Sequence, residues 1–425
     1  MGSMQRGLAA LALMLGGAIP ALGSDLSDAC AAAAASQWEP GYAELGRDQS
    51  AIDAPAAVSA CRAALGEDPG SAQIKAWLGR ALDANDEVAQ ALPLLQEAAA
   101  AGNVVALTIY GDIMIVGEDV AEDMPGGVAM LTRAAEAGFA PAQNSLALSY
   151  DYAEGVPEDD VAAARWYRAA AEQGLARAET NIAMMYADGL GLDRDMVAAA
   201  AWLGRAAEHG DATAQFQLGS VHEDGVLGVP DAGLAAEFYR RAADQGHAGA
   251  QNALGLLKQR GTGTALDLED AAALYQAAAD QGLAQAQVNL ALLYEAGLGV
   301  AQDYGVARTL YRQAAASGVT DGAVNLGMMY LDGLGGPVDP EGALFWTEQA
   351  ATAQNPIGLN NLGHLYEHGL GVAADRGKAL GYYQQSADLG YQLGAANFAR
   401  LGAGAPEPDP LPTAIKVYPP SKLDN

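Results

Sequence analysis

The stretch LALLYEAGLGVAQDYGVARTLYRQAAASG, residues 290–318, holds the pattern that decides the fold. It ends on Gly318, and the same position recurs every 36 residues along most of the chain. The recurring positions are Gly102, Gly138, Gly174, Gly210, Gly246, Gly282 and Gly318, then Gln354 and Gly390. A register that holds over eight periods is typical of a repeat protein in which each unit packs on the next. Positions within a repeat are counted from this residue, so that +8 lies eight residues after it.

Each repeat carries the signals of two helices. A large residue at +8 beside Gly or Ala at +9, as in Leu290-Ala291, allows a neighbouring helix to approach closely. Glycines at +15 and +17 predict that the first helix ends in left-handed turns. An aspartate stands at +21, where it would cap the second helix. The eight aspartates are Asp123, Asp159, Asp195, Asp231, Asp267, Asp303, Asp339 and Asp375. The pattern predicts an all-α, right-handed α-solenoid of 36-residue helix-turn-helix repeats.

These residues also resemble a known family. The stretch at 290–318 and AEFYRRAADQGHAGAQNALG at 236–255 are similar to Sel-type repeats, which are relatives of tetratricopeptide repeats. The resemblance covers residues 86–400, which are therefore predicted to form the solenoid. Upstream, residues 57–82 resemble a tetratricopeptide unit, so residues 24–85 are predicted to cap the stack. Residues 401–425 hold six of the 18 prolines and are predicted to form an extended tail.

Composition narrows the class of partner. The 425 residues include 22 Lys and Arg against 52 Asp and Glu, which gives a formal net charge of −30. This composition argues against binding to a nucleic-acid duplex, because neutralising its phosphates requires clustered Lys and Arg side chains. At 51% hydrophobic residues the chain is too apolar for a disordered acidic protein.

The N-terminus predicts export. Arg6 precedes the apolar run 7–19, which is followed by small residues up to Gly23, the order expected of a removed signal peptide. This run is shorter than the roughly 20 residues of a membrane-spanning helix, so no transmembrane segment is expected. We therefore predict a periplasmic or secreted protein. In that setting the two cysteines, Cys30 and Cys61, are predicted to form a disulfide bond.

The concave surface of such a solenoid is its usual binding surface, and the first helices line it. Positions +6 and +10 predict an apolar groove floor with Asn groups able to bond a peptide backbone, and positions +13 and +14 predict an acidic rim. The floor consists of Leu148, Met184, Phe216, Leu256, Val288, Leu292, Val324, Met328, Asn360 and His364. The rim consists of Asp151, Asp188, Glu223, Asp224, Glu295, Asp332 and Glu367. We expect a protein or peptide partner with apolar anchors and basic flanks. The alternative is that position +10 merely packs one first helix on the next.

No enzymatic chemistry is expected. His364 and His368 have the i, i+4 spacing of a metal pair, but the sequence indicates no third ligand. We therefore predict neither a catalytic residue nor a metal or other cofactor. One cysteine-rich branch of the Sel-type family is described as penicillin-binding or weakly β-lactamase-like. This chain lacks that branch's cysteine pairs and contains no Ser-x-x-Lys motif.

The resemblance implies regulation or assembly by binding, and we predict an adaptor or scaffold. A cell-wall or β-lactam hydrolase and a purely structural envelope spacer are the alternatives. The sequence leaves the identity of the partner and the oligomeric state open.

Overall fold

A computed structural model describes residues 25–43, 46, 51–117 and 119–405 of the chain. The predicted signal peptide at 1–23 and almost all of the predicted proline-rich tail lie outside these residues. In the described part, secondary structure consists almost entirely of α-helices, and no strand pairs with another to form a sheet.

The helices follow one another at short and regular intervals. They are α1 (Asp25–Ala34), α2 (Ala54–Glu67), α3 (Ala72–Asp83), α4 (Val88–Ala100), α5 (Val104–Val116), α6 (Met124–Glu136), α7 (Ala140–Asp151), α8 (Asp160–Glu172), α9 (Ala176–Asp188), α10 (Met196–Glu208), α11 (Ala212–Glu223), α12 (Ala232–Asp244), α13 (Ala248–Arg260), α14 (Leu268–Asp280), α15 (Ala284–Ala296), α16 (Tyr304–Ala316), α17 (Thr320–Asp332), α18 (Pro340–Thr352), α19 (Pro356–His368), α20 (Arg376–Asp388) and α21 (Gln392–Gly402). From α5 onward the odd-numbered helices are the first helices of the repeats and the even-numbered helices are the second helices.

The chain divides into two compact units, Met1–Asp211 and Ala212–Asn425. Within each unit every described helix packs on its neighbour in sequence, and some first helices also contact the next first helix, as α5 does α7 and α17 does α19. Each unit is therefore a stack of helix pairs, and together they confirm the predicted all-α solenoid. The boundaries at 85 and 400 stay predictions.

The second helices begin where the sequence places their caps. In all eight repeats the aspartate at +21 accepts a hydrogen bond from a first-turn backbone N–H, for example Asp159 from Ala162 at 2.9 Å. The backbone N–H of the same aspartate donates to the carbonyl at +12, for example Asp195 to Tyr186 at 2.9 Å. Together these two hydrogen bonds fix the loop that connects the first and second helices of a repeat. Each cap is worth about 1 kcal/mol.

The turn after the first helix depends on glycine. Gly189 and Gly191 have φ angles of 75° and 65°, which side chains with a Cβ rarely adopt. A Cβ added to Gly191 would also collide with the backbone of Asp160 at the start of the second helix of the preceding repeat. The predicted role of these glycines is confirmed. The turn of repeat 138–173 carries Ala153, which holds the same left-handed conformation at φ 57°.

A buried polar network ties the N-terminal segment to the stack. The carboxylate of Glu39 is 4% exposed and accepts hydrogen bonds from the Trp77 indole N–H at 3.1 Å, from the Gln73 amide at 2.7 Å and from the backbone N–H of Ser36 at 2.7 Å. The predicted bond between Cys30 and Cys61 is confirmed, and it joins α1 to α2. Residues 25–43 are thereby held by hydrogen bonds as well as by a covalent link.

Candidate functional site

The predicted groove floor divides into a buried set and an accessible set. Five of its residues are at most 5% exposed, and these are Val288, Leu292, Val324, Met328 and Asn360. Val324, Met328 and Asn360 lie on α17 and α19, which contact each other directly, and Val288 and Leu292 lie on α15. The accessible set consists of Leu148, Met184, Phe216, Leu256 and His364, of which Met184 is the most exposed at 37%.

The asparagines at +6 hydrogen-bond to the next repeat. The side-chain oxygens of Asn144, Asn252 and Asn360 accept from the amides of residues 37 positions later, which are Asn181, Asn289 and Asn397, at 2.8–3.1 Å. These bonds join successive first helices side by side. The side-chain oxygens of these asparagines, which the sequence suggested for a partner's backbone, are thus already used to join neighbouring repeats.

The predicted acidic rim also divides into two sets, and the acids at +13 have partners inside their own repeat. Tyrosine hydroxyls at +29 donate to these carboxylates across 16 residues. The pairs are Tyr167 with Asp151 at 3.0 Å, Tyr239 with Glu223 at 2.8 Å, Tyr311 with Glu295 at 3.1 Å and Tyr383 with Glu367 at 2.8 Å. Tyr275 makes the equivalent bond to Gln259 at 2.7 Å. The acids at +13 therefore anchor the second helix to the first.

The tyrosine at +29 was missed by the sequence reasoning, although a signal was present. In the repeats that carry another residue at +29, position +13 holds neither an acid nor an amide, as in Ala187 with Leu203 and Leu331 with Thr347. The small residue at +9 makes room for the ring. A Cβ added to Gly255 would lie 2.7 Å from the Tyr275 ring. Burial, together with the neighbouring carboxylate, raises the pKa of Tyr167 and of Tyr239.

Glu367 has a second partner, which favours the ionised form of its carboxyl. Arg400, on α21, contacts both carboxylate oxygens at 2.9 and 2.6 Å. Burial opposes ionisation of Glu367, but the hydrogen bonds from Arg400 and Tyr383 outweigh it and lower the pKa of the carboxyl. This rim residue therefore joins α19 to the last helix.

The acids at +14 are the exposed part of the rim. Asp188, Asp224 and Asp332 lie at or just beyond the C-terminal ends of their first helices, and all three are exposed. Their carboxylates extend into solvent, and Asp188 follows the accessible floor residue Met184 by four residues on α9. In the second unit Asp224 and Asp332 share this first-helix surface with Leu256. We call the accessible floor residues and the +14 acids of one unit its first-helix surface.

In the first unit, position +10 of repeat 102–137 holds Asp112, whose carboxyl lies near other carboxylates. The pKa of Asp112 is raised to about 7, chiefly by burial and in part by the nearby carboxylates of Asp83 and Glu154, against a hydrogen bond from Ser145 that lowers it. The Ser145 hydroxyl donates to the Asp112 carboxyl at 3.3 Å. Burial and the neighbouring Asp86 also raise the pKa of Asp83. A positive charge brought to this part of the surface would relieve that repulsion.

A second recurring polar pair joins positions +5 and +35. In three repeats the glutamine at +35 donates its amide to the side-chain oxygen of the glutamine at +5. These pairs are Gln173 with Gln143, Gln245 with Gln215 and Gln281 with Gln251, at 2.8–2.9 Å. Each pair joins the start of a first helix to the end of the second helix of the same repeat.

Repeat 174–209 carries an acid and a histidine in the same two positions. The carboxylate of Glu179 is fully buried, and it contacts Arg205 at 2.9 Å and the His209 ring at 2.7 Å. The Arg205 guanidinium also donates to the Ala171 carbonyl and stacks over the Trp202 ring. Glu179 is thus a buried acid whose partners, Arg205 and His209, are half exposed.

The described residues hold no group of three or more His, Cys, Asp or Glu side chains placed to bind a metal ion. The rings of His364 and His368 lie with their centroids 4.4 Å apart near the end of α19. Among the described residues, no helix combines the length and apolar character needed to cross a bilayer.

Stacked 36-residue helix pairs, with internal polar pairs and partly exposed first-helix residues, define a solenoid of the protein-interaction scaffold class. The Sel1 repeat model matches residues 140–175, 176–211, 212–247, 248–283, 284–319, 320–355 and 356–391. Because these matches cover more than half of the chain, the protein belongs to the Sel1 repeat family. Sel1 repeat solenoids are in general scaffolds for protein-protein interaction rather than enzymes.

Two solved structures are similar along most of the chain. A protective antigen present in uropathogenic Escherichia coli strains, which displays an SLR fold, is 29% identical with a TM-score of 0.69, covering 83% of this chain and 76% of its own. A Sel1 repeat protein from Oxalobacter formigenes is also 29% identical, with a TM-score of 0.54, covering 73% of this chain and 90% of its own. No curated protein matches the chain.

Proposed function

We propose that this protein is an exported adaptor that binds a basic segment of a partner protein on its first-helix surfaces. The observation that carries the proposal is that acids at +14 and apolar residues at +10 both remain at least partly exposed on the first helices. In the second unit these residues are Asp224, Asp332 and Leu256. The other rim acids are committed to tyrosines of their own repeats, so the exposed acids are the ones that a partner can reach.

The charge balance supports a cationic partner. A net charge of −30 attracts positively charged segments over a distance of about 8 Å at physiological salt. The crowded carboxyls of Asp112 and Asp83 in the first unit favour the same sign of ligand. Apolar contact at Leu256 in the second unit, or at Met184 in the first, would supply anchoring beyond charge attraction.

Export is the second part of the proposal. The signal-like order of residues 1–23 and the bond between Cys30 and Cys61 both support it, because disulfide bonds persist in oxidising compartments. A fusion of residues 1–30 to alkaline phosphatase tests this directly, since the enzyme folds only outside the cytoplasm. We expect activity from this fusion and none when residues 7–19 are deleted. If the fusion with residues 1–30 intact is inactive, export is contradicted.

Charge reversal tests the binding surface. The variant Asp224→Lys/Asp332→Lys reverses two exposed acids that follow or end first helices, where lysine suits the helix dipole. The matched control Glu237→Lys/Asp244→Lys reverses two exposed acids on the second helix α12. Cross-linking mass spectrometry on an envelope extract should show one dominant partner, linked to the first-helix surface through a Lys- or Arg-rich segment.

We expect the first variant to reduce capture of that partner at least tenfold and the control to leave it within twofold. Capture by the wild-type protein should weaken as salt rises from 50 to 300 mM. Equal losses in both variants, or cross-links confined to second helices, would overturn the proposed surface.

A further inference from the structure

A cleft of about 530 Å³ opens in the second unit between α14, α15 and α16. Most of its lining residues lie on the second helices α14 and α16, and none belongs to the first-helix surface. Its lining includes Gln276, Ala279, Asp280, Gln287, Val306 and Gln313. The volume falls within the range of about 300–1,000 Å³ that is usual for ligand sites.

The cleft contains a buried polar atom without a partner. Gln287 is 7% exposed and occupies position +5 of its repeat. Its side-chain oxygen is buried and makes no hydrogen bond within the described part of the chain. Buried acceptors of this kind are rare, because they have given up hydrogen bonds to water without replacing them.

Comparison with the other repeats explains why this oxygen is unpaired. The equivalent oxygen of Gln251 accepts from Gln281 at 2.9 Å, and Gln143 and Gln215 accept in the same way from glutamines 30 residues later. The residue 30 positions after Gln287 is Ser317, whose side chain is too short to make this bond. The glutamine that fills this space in three other repeats is therefore absent from this one.

The other lining residues favour a cation. Asp280 contributes a carboxylate at the edge of the cleft, and its Oδ1 accepts from the Gln276 amide at 2.7 Å. No Lys, Arg or His lines the cleft. The guanidinium groups of Arg308 and Arg312, both on α16, interact instead with the Tyr330 hydroxyl. The negative charge at the cleft is thus left to Asp280, beside the neutral acceptor of Gln287.

We propose that this cleft binds a guanidinium group carried on an aliphatic stem. A guanidinium has several N–H donors in one plane, so it can donate to the Gln287 oxygen and to the Asp280 carboxylate together. The methylene stem would pack on Ala279, Val306 and Leu310. Free arginine and an arginine residue within another chain both present this chemistry. The site is independent of the first-helix surface.

The test uses N-acetyl-L-arginine amide as the residue-like probe, free L-arginine as the second probe and N-acetyl-L-citrulline amide as the neutral analogue. Saturation-transfer NMR on the full chain gives a dissociation constant for each probe. The variant Ser317→Gln restores the missing glutamine and should fill the cleft. Its matched control is Ala353→Gln, which places the same exposed side chain at +35 of the next repeat, where position +5 is Ala323.

We expect saturable binding of the capped arginine to the wild-type protein and to Ala353→Gln, and at least tenfold weaker binding to Ser317→Gln. The citrulline probe should bind at least tenfold more weakly than the arginine probe. Tighter binding of the capped probe than of free arginine assigns the site to an arginine residue of another chain, and the reverse order assigns it to the free amino acid.

A melting temperature of Ser317→Gln at or above that of the wild-type protein shows that the variant is folded. Equal binding to Ser317→Gln, or no saturable binding to the wild-type protein, would overturn the site. Equal binding of the citrulline probe would overturn the guanidinium assignment.

Discussion

Repeats 174–209 and 282–317 have the same architecture and differ in how positions +5 and +35 are filled. Each has a first helix of 13 residues, an aspartate cap and a second helix of 13 residues. In the first repeat the positions hold Glu179 and His209, which contact each other. In the second they hold Gln287 and Ser317, and a cleft opens there.

Helix packing and polar pairing are therefore specified separately in this protein. Alanine and leucine contacts keep the helices in register whichever side chains occupy the two positions. A polar position can therefore change its partner, or lose it, while the stack of helices persists. Each arrangement therefore makes its own contribution to stability.

The largest expected effect is at Glu179. Replacing both partners, as in Arg205→Ala/His209→Ala, leaves a fully buried carboxyl without their contacts and should lower the free energy of unfolding by about 3–5 kcal/mol. Urea denaturation of the full chain measures this loss. The rescue variant Arg205→Ala/His209→Gln/Glu179→Gln recreates the glutamine pair of the neighbouring repeats and should recover most of it. A loss below about 1 kcal/mol in the double variant would show that Glu179 does not depend on these two partners.

Asp112 provides the opposite case, a carboxyl whose charged neighbours are other carboxylates. Its pKa is about 7 in the folded chain against an ordinary value of 3.8, so the folded state binds the proton more tightly. Stability from this group is complete below about pH 4 and is lost as the pH rises toward 7. The slope should stay below about 1.4 kcal/mol per pH unit, because the side chain keeps some contact with water.

The variant Asp112→Asn should flatten this part of the stability profile, as measured by urea denaturation between pH 4 and 8. Its matched control is Asp332→Asn, an exposed acid, which should keep the wild-type slope. An unchanged slope in Asp112→Asn would contradict the raised pKa.

The tyrosine pairs distinguish charged from neutral acceptors within one geometry. Tyr239→Phe leaves the Glu223 carboxylate without its donor and should cost about 1.5 kcal/mol, whereas Tyr275→Phe leaves the neutral Gln259 and should cost about 1 kcal/mol. Urea denaturation of both variants gives the comparison. Tyrosine variants indistinguishable from the wild-type protein would show that the bonds contribute nothing.

The smallest expected effect comes from closing the cleft. Ser317→Gln should satisfy the Gln287 oxygen and raise the free energy of unfolding by about 1 kcal/mol. Ala353→Gln should leave it unchanged. Stabilisation by both variants alike would point to a general effect of glutamine at the helix end, and the two repeats would then differ less than their contacts suggest.

Much of the fold could be predicted from the residues because their roles are local. An aspartate caps the helix that it begins, and a glycine permits the turn in which it lies, whatever packs around them. The disulfide bond was predictable because only Cys30 and Cys61 are present. Family resemblance then supplied the way in which successive repeats stack.

The binding surface was harder to predict because it depends on which helices meet. Helical phase placed Leu256 and Leu292 on one stripe, but Leu292 is buried and Leu256 retains some exposure. The acids at +13 looked like rim residues until their tyrosine partners, 16 positions later, were seen to reach them. In the sequence this contact was visible only as a correlation: the repeats with tyrosine at +29 carry an acid or an amide at +13.

The sequence by itself determined the repeat, its helix boundaries, its caps, its turns and its negative charge, because each of these follows from residues close together in the chain. Only the tertiary structure decided which acids remain exposed, which asparagines join repeats and that Gln287 lies unpaired beside a cleft. Those outcomes depend on distances between side chains 16, 30 or 37 positions apart, and such distances are set by how one helix packs against another.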